Sequence, residues 1–398
     1  MDIFLLYQYI ITAILLLVLL NYLLNNILFK DSSRFKLPQH IINNSPLISV
    51  LIPARNEEEN IKKCLLSLTK QDYKNIEIIV LNDNSTDNTG KIVAELSKKD
   101  SRIKLYNGKK LKKGWMGKNY ACHQLAGYAR GDYLLFTDAD TIHFPDSISS
   151  ALACLLNYKL GALSVFAKQI MVTVHERMIV PFGSYMILCF LPLFLVERSK
   201  NPLFCAAIGQ FMLFKKDVYE KIGGHESIKS EVLEDIKISK RVKKYGYKFM
   251  IFDGRNNLYC RMYKNFSEVV RGYSKVLFAA FDYKIYAVLI VLVLFPAVFL
   301  FPFIMFPLGI IFEWPTIIMR LVILQVTIIL LTKIIFSIRF KCKAADILLY
   351  PFSIVYLMLI AINSICSALI GEGVSWKGRI YDVRNKDEVI LVNDSDYE

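Results

Sequence analysis

A chain of 398 residues with 54% hydrophobic residues and a formal net charge of +14 has room for one large domain or two ordinary ones. The basic excess does not mark a nucleic-acid binder, because no module joining stacking aromatics to basic residues is present; anionic lipid head groups and a nucleotide diphosphate fit it better. The eight cysteines are scattered with no Cys-x-x-Cys pair, and Cys154, Cys189 and Cys366 sit among apolar residues, which reads as reduced, packed thiols and excludes zinc ribbons and a disulfide framework.

Ile3 to Phe29 is apolar apart from Gln8 and a few asparagines, and its charge-free core Ile10 to Leu20 predicts a membrane-crossing helix. A secretory signal peptide is the competing reading. Asp2 in place of a basic start, and no small-residue cleavage site before Asn25-Asn26, argue against it. Lys30, Arg34 and Lys36 follow directly, so the positive-inside rule places the next region in the cytoplasm.

That region alternates strand and helix patterns. Leu47 to Ile52 predicts a strand ending at Pro53, with a helix from Glu57 to Leu68 on the spacing of Ile61, Leu65 and Leu68. Ile76 to Leu81 predicts the next strand, followed by Asp83 and a helix Asp87 to Leu96 capped by Ser85 or Thr86. Ile103 to Tyr106 leads to a basic loop, Gly108 to Gly117, and a helix Lys118 to Ala129. A strand then ends at Asp138-Ala139-Asp140, with Pro145 opening another helix. Such alternation implies a parallel sheet covered on both faces. No glycine-rich dinucleotide fingerprint or P-loop follows these strands, which excludes a dinucleotide enzyme and a P-loop ATPase.

Ligands of open α/β sheets collect beyond the carboxyl ends of the strands. Two carboxylates one residue apart there, Asp138 and Asp140, suit Mg²⁺ or Mn²⁺ shared with a substrate diphosphate, whereas alone an Asp-x-Asp is more often a turn. Lys118, at a helix start beside a glycine loop, suits a phosphate. Met178 to Val196, apolar and interrupted by Pro181 and Pro192, predicts an interfacial segment admitting a lipid. Gly209 and Gln210 precede a strand and are expected to line the acceptor pocket; His225 lies in a loop and is expected to be solvated. Glu234 and Asp235 open a helix whose Val232, Leu233, Ile236 and Val242 face the core, and one of these carboxylates can take a proton from an acceptor.

Ile285 to Phe312, Ile317 to Ile338 and Ile347 to Ile370 predict three further spans, about four in all. The basic loop Arg339 to Lys343 agrees with a cytoplasmic middle region. Four full crossings would put the tail with Trp376-Lys377-Gly378-Arg379 outside, against the same rule, so either the last segment does not fully cross or one of the two before it is re-entrant. The expected parts are an N-terminal span 1–30, a catalytic region 31–280, a C-terminal membrane region 281–372 and a polar tail 373–398.

Ile48 to Glu57, Val80 to Asp87, Thr137 to Asp140 and Glu234-Asp235 together resemble the ordered signature of family 2 glycosyltransferases. The stretch Gly114-Trp115-Met116-Gly117-Lys118 is similar to one in lipid-directed members, the hopanoid-associated and diaponeurosporenoate (carotenoid) glycosyltransferases. The resemblance implies a GT-A-like α/β fold with a parallel-rich sheet and flanking transmembrane helices. It implies that Asp83 binds the uracil of a UDP-sugar and that Pro53, Ala54, Arg55 and Glu57 lie beside the nucleoside. It also implies that Asp138 lies near the ribose, that Asp140 holds the metal, and that Asp235 is the base of an inverting, single-displacement transfer.

The acceptor expected is a carotenoid, another isoprenoid or a glycerolipid at the cytoplasmic face of the cell membrane. A processive polysaccharide synthase is the alternative; its Gln-x-x-Arg-Trp is replaced here by Glu268-Val-Val-Arg271-Gly. A non-catalytic membrane protein with such a domain is the third reading, and the intact acidic positions disfavour it.

Overall fold

The computed structural model describes residues 2–43, 45–369, 374–382 and 390–391. The chain forms two compact units that are not consecutive in sequence. One comprises Met1–Leu28, Met171–Pro192 and Tyr263–Ser367; the other comprises Phe29–Ile170, Leu193–Met262 and Ala368–Glu398. The division therefore differs from the expected one. Residues 171–192 and 263–280 leave the catalytic region for the helical unit, and the tail returns to the sheet unit.

The sheet unit is built on β1 (Ile48–Ala54), β2 (Ile76–Asn82), β3 (Ile103–Asn107), β4 (Tyr133–Thr137), β5 (Thr141–His143), β6 (Ala162–Gln169), β7 (Phe211–Lys215) and β8 (Phe249–Cys260). Their order is β3-β2-β1-β4-β7-β6-β8-β5. The first four are parallel, as helical crossovers require. The far half is mixed: β7 runs antiparallel to both β4 and β6, and β5 antiparallel to β8. Ile48, Val50 and Ile52 of β1 pack in one core with Ile61, Cys64, Leu65 and Leu68 of the helix Ile61–Leu68, whose spacing puts all four on one face.

Strand β1 continues through Pro53, two residues beyond its pairing with β4, which ends at Leu51 and so asks no N–H of the proline on that side. The helix after it starts at Ile61 rather than Glu57. The N–H groups of Asn56, Glu57 and Glu58 donate instead to Ser85, Thr89 and Asp87, and Asn56 has φ of 52°. Similarly, the helix after β2 is Thr89–Ser97, and its first N–H is met by the Asp87 carboxylate at 2.9 Å rather than by Ser85 or Thr86.

A charge inside the sheet is fully compensated. Glu77 is buried on β2; it accepts from Ser49 Oγ at 2.7 Å and pairs with Lys104 Nζ at 2.8 Å. Burial pushes its carboxyl up, but Lys104, Ser49 and the Arg130 N–H outweigh that and bring it down to about 2.

In the helical unit, Ile3–Leu28, Thr316–Phe340 and Tyr350–Leu369 are long and apolar enough to cross a membrane. The expected span Ile285 to Phe312 is instead two helices, Ile285–Phe299 and Phe301–Ile311, broken at Leu300 just before Pro302. At about 1.5 Å per residue neither half alone reaches a ~30 Å hydrocarbon core.

Ile3–Leu28 and Thr316–Phe340 lie side by side and run the same way. Phe4 packs on Trp314 at 4.9 Å, Gln325 Nε2 donates to Gln8 Oε1 at 2.9 Å and Thr12 Oγ1 at 3.0 Å, and Arg339 donates to Asn26. Tyr350–Leu369 follows a different helix, Phe266–Ala280. Tyr356 stacks on Phe266, Ile360 packs on Val269, and Ser364 Oγ accepts from Phe278 N at 3.0 Å. Phe266–Ala280 is itself bent by 111° from Ile285–Phe299.

The expected break at Pro181 does not occur. Val174–Phe190 is continuous through it, started by a reciprocal capping box between Thr173 and Glu176, and packing within this unit outweighs the one hydrogen bond the proline forfeits. All eight cysteines are free thiols; Cys154 and Cys189 are buried as expected, while Cys366 is exposed on Tyr350–Leu369.

Candidate active site

Every sequence-predicted site residue lies in the sheet unit, at the carboxyl ends of β1, β2 and β4 or on segments packed there. Lys118 is the second residue of the helix Gly117–Tyr128, and its Nζ bridges Asp138 Oδ1 and Glu234 Oε1, both at 2.7 Å. Burial works against this charge, yet the two carboxylates outweigh it and raise the amine well above its ordinary value. Pro53, Lys118, Asp138, Gly209 and Glu234 line one small cavity with Phe136 and His225.

Gly209 is required by this convergence. A Cβ there would stand 2.9 Å from Lys118 Nζ and 3.2 Å from Glu234 Oε1. Its N–H donates to Asp235 Oδ2 at 3.0 Å, and Asp235 Oδ1 accepts from Ile236 N at 2.8 Å. Burial, reinforced by the neighbouring Glu234, raises the Asp235 carboxyl to about 7. Gln210 is buried on the other side of Gly209 and accepts from Gln169 Nε2 at 2.9 Å, while its carbonyl accepts from Thr137 Oγ1 at 2.8 Å.

Asp140 is raised to about 7 as well, by burial first and then by Asp138 and Glu57. Among the described residues no three His, Cys, Asp or Glu side chains converge as a ready-made metal cage. The donor set still fits a hard cation in part. Asp138 and Asp140 are two carboxylates on one turn, and Asp140 carries a charge that its surroundings leave poorly compensated, which a divalent ion would relieve.

The end expected to hold the nucleoside is more crowded than the motifs imply. Asp83 is 3% exposed and its N–H donates to the Ala54 carbonyl at 2.8 Å. Arg55 Nη1 donates to the Asp83 and Asn84 carbonyls, both at 3.0 Å. Both Asp83 carboxylate oxygens are taken by Arg379, whose Nη1 and Nη2 donate at 2.6 and 3.1 Å. Glu57 pairs with Lys377 Nζ at 2.8 Å.

Arg379 and Lys377 were not expected here, since the sequence marks Trp376 to Arg379 only as a basic tail. Asn119 is a second unforeseen residue: its Nδ2 donates to the carbonyls of Ile228, Lys229 and Glu231, tying the Lys118 helix to the segment before Asp235. His225 corrects an expectation. It is buried, its Nδ1 lies 2.7 Å from Tyr219 Oη, and burial lowers its imidazole to about 3.

Residues 49–223 match the model of glycosyl transferase family 2. The chain is similar to a 4,4'-diaponeurosporenoate glycosyltransferase of Staphylococcus haemolyticus, with 29% identity over 233 residues, 57% of this chain and 60% of that protein. It is also similar to the probable glycosyltransferase YdaM of Bacillus subtilis, with 31% identity over 210 residues, 52% of this chain and 49% of that one. The chain thus spans about half to three fifths of the length of these curated relatives. Among solved structures, the mannosyltransferase PcManGT of Pyrobaculum calidifontis, in complex with GDP-Man and Mn²⁺, shares the fold at a TM-score of 0.51 and 15% identity, covering 89% of this chain and 99% of that one. The matched residues reach from β1 through the Asp138–Asp140 turn to beyond β7, so this stretch of the sheet unit is similar to glycosyl transferase family 2.

Proposed function

We propose that the protein moves one sugar from a UDP-sugar to a hydrophobic acceptor, a carotenoid, another isoprenoid or a glycerolipid, at the cytoplasmic face of the membrane, with inversion at the anomeric carbon. The observation that carries this is the Asp235 carboxyl, raised to about 7 and held by the Gly209 N–H, in the first turn of a helix beside Glu234, which shares Lys118 with Asp138. A base tuned near neutrality is what an acceptor hydroxyl needs. Asp235 takes the hydroxyl proton as the acceptor oxygen bonds to the anomeric carbon, and the bond to the diphosphate oxygen breaks with its electron pair. No second carboxylate is needed as a nucleophile, so the configuration inverts.

Asp138 and Asp140 are the residues that would hold Mg²⁺ or Mn²⁺, which supplies positive charge to the departing diphosphate. Lys118, freed from Asp138, reaches the same phosphates from the start of its helix. The acceptor class is supported by the name of the Staphylococcus relative and by the apolar helices of this chain.

The helical unit supports a specific topology. Ile3–Leu28 enters the cytoplasm at Lys30, the broken pair Ile285–Phe299 and Phe301–Ile311 leaves it, and Thr316–Phe340, running parallel to the first helix, returns. Tyr350–Leu369 packs along Phe266–Ala280, which is bent by 111° from Ile285–Phe299, and this supports an interfacial rather than a crossing role for it, with the tail cytoplasmic.

Purified protein with Mn²⁺ and a UDP-sugar should release UDP and glycosylate a membrane lipid extract, each acceptor receiving one sugar. A long polymer would replace this reading with a synthase, and no turnover of any UDP-sugar would remove the donor assignment.

A further inference from the structure

The segment Val374–Trp376 (β9) and Arg379–Asp382 (β10) form a hairpin closed by Lys377 and Gly378, both with positive φ, and β10 pairs on its other edge with Ile390–Leu391 (β11). A ribbon this small is marginal alone, so what holds it in place is its docking. Its contacts fall on elements expected to carry the nucleotide. Arg379 grips Asp83; Lys377 Nζ grips Glu57; the Lys377 carbonyl accepts from Arg55 Nε at 3.0 Å; and Tyr381 Oη accepts from Gly117 N at 3.1 Å, where the Lys118 helix begins. Arg379 and Tyr381 are both 0% exposed.

We propose that this hairpin is a built-in occupant of the donor site, which the nucleotide must displace in order to bind. The proposal rests on the UDP-sugar reading above. A base N–H can reach Asp83 only where a carboxylate oxygen is free and open, and here both are filled by a fully buried guanidinium. The exchange is close to balanced. Nucleotide binding costs two ion pairs and returns a base contact at Asp83, while the released Lys377 and Arg379 remain near an incoming diphosphate. The hairpin thus sets the donor's apparent affinity: that affinity is diminished by the fraction of molecules in which the site is closed.

The test uses the full-length protein in detergent. Hydrogen exchange of residues 374–382 is followed with and without UDP and Mn²⁺, and UDP affinity is measured for wild type, Arg379→Ala and Lys377→Ala. The expected result is that UDP accelerates exchange in 374–382, and that each variant binds UDP more tightly, by roughly three- to tenfold, as closure is weakened. UDP that binds while 374–382 stays protected, or variants that bind UDP more weakly, would overturn the proposal and leave the donor reading standing. No UDP binding by wild type or by either variant would remove the donor reading itself, and the hairpin's role with it. Lys377→Ala, at an exposed turn, keeps the test decisive should Arg379→Ala disturb folding.

Discussion

Asp83 and Asp138 follow the ends of two parallel strands of one sheet, and a cation sits on each. On Asp138 that cation is Lys118, twenty residues upstream on a helix of the same sheet layer, and it also holds Glu234. On Asp83 it is Arg379, a residue 296 positions away on a small hairpin. The Asp138 end of the candidate site is therefore braced from within its own scaffold, whereas the Asp83 end, expected to hold the nucleoside, is closed by a hairpin that we propose to be displaceable. The difference teaches that mutations at the two ends should read out differently, in turnover at one and in affinity at the other.

The largest effect should come from the braced end. Asp140→Ala should lower turnover by about 10²–10³-fold or more in saturating Mn²⁺, as for the loss of one electrostatic stabiliser of a transition state, and undiminished turnover would show that the metal is held elsewhere. Asp235→Asn should lower kcat by about 10²–10⁴-fold on hydroxyl acceptors while UDP affinity stays within about threefold. Lost nucleotide binding in that variant would erase the contrast between the ends.

The same residue gives a pH signature. Asp235 must be ionised to act, so kcat/KM should rise to a plateau with an apparent pKa of about 7. Its effect on stability has the opposite sense. Between about pH 4 and 7 the unfolded chain has lost a proton that folded Asp235 and Asp140 retain, so their contribution to stability falls as pH rises through that window.

Gly209→Ala should produce a smaller loss, about tenfold in kcat, by pushing Lys118 and Glu234 apart, with a destabilisation of about 1–3 kcal/mol seen in thermal melting. Smallest for activity is Glu77→Gln, outside the site. Wild-type Glu77, lowered to about 2, contributes stability above about pH 4.5 that is lost as pH falls through its folded value. The variant should lack that acid-side slope and keep its turnover.

The parallel half of the sheet and the carboxylate blocks were legible because alternating apolar runs and strand-end acids are local signals. Asp138 and Gly209 flank the neighbouring strands β4 and β7, and Glu234 joins them from the start of a helix through Lys118. What was not legible depends on long-range bonds. The Glu57 helix starts late because its amides are spent on Ser85, Thr89 and Asp87. Pro181 looked like a break because the Thr173–Glu176 capping box and the packing around it are decided in three dimensions. The antiparallel β7, and His225 buried against Tyr219, likewise follow from the order in which distant segments join the sheet. Arg379 had no local mark at all: a basic turn after an apolar helix reads as a topology signal until its partner is seen.

The position of that hairpin also orders the protein's biosynthesis. Asp83 leaves the ribosome almost three hundred residues before Arg379, and the apolar helices Thr316–Phe340 and Tyr350–Leu369 are made in between. Domains generally fold as units while the chain is still growing. The sheet unit can thus acquire most of its core early, yet Asp83 waits without its guanidinium partner until Tyr350–Leu369 and the hairpin have been made. Closure of the donor site would then report that synthesis has passed the hairpin, and a nascent molecule would stand open to any nucleotide it met before that point.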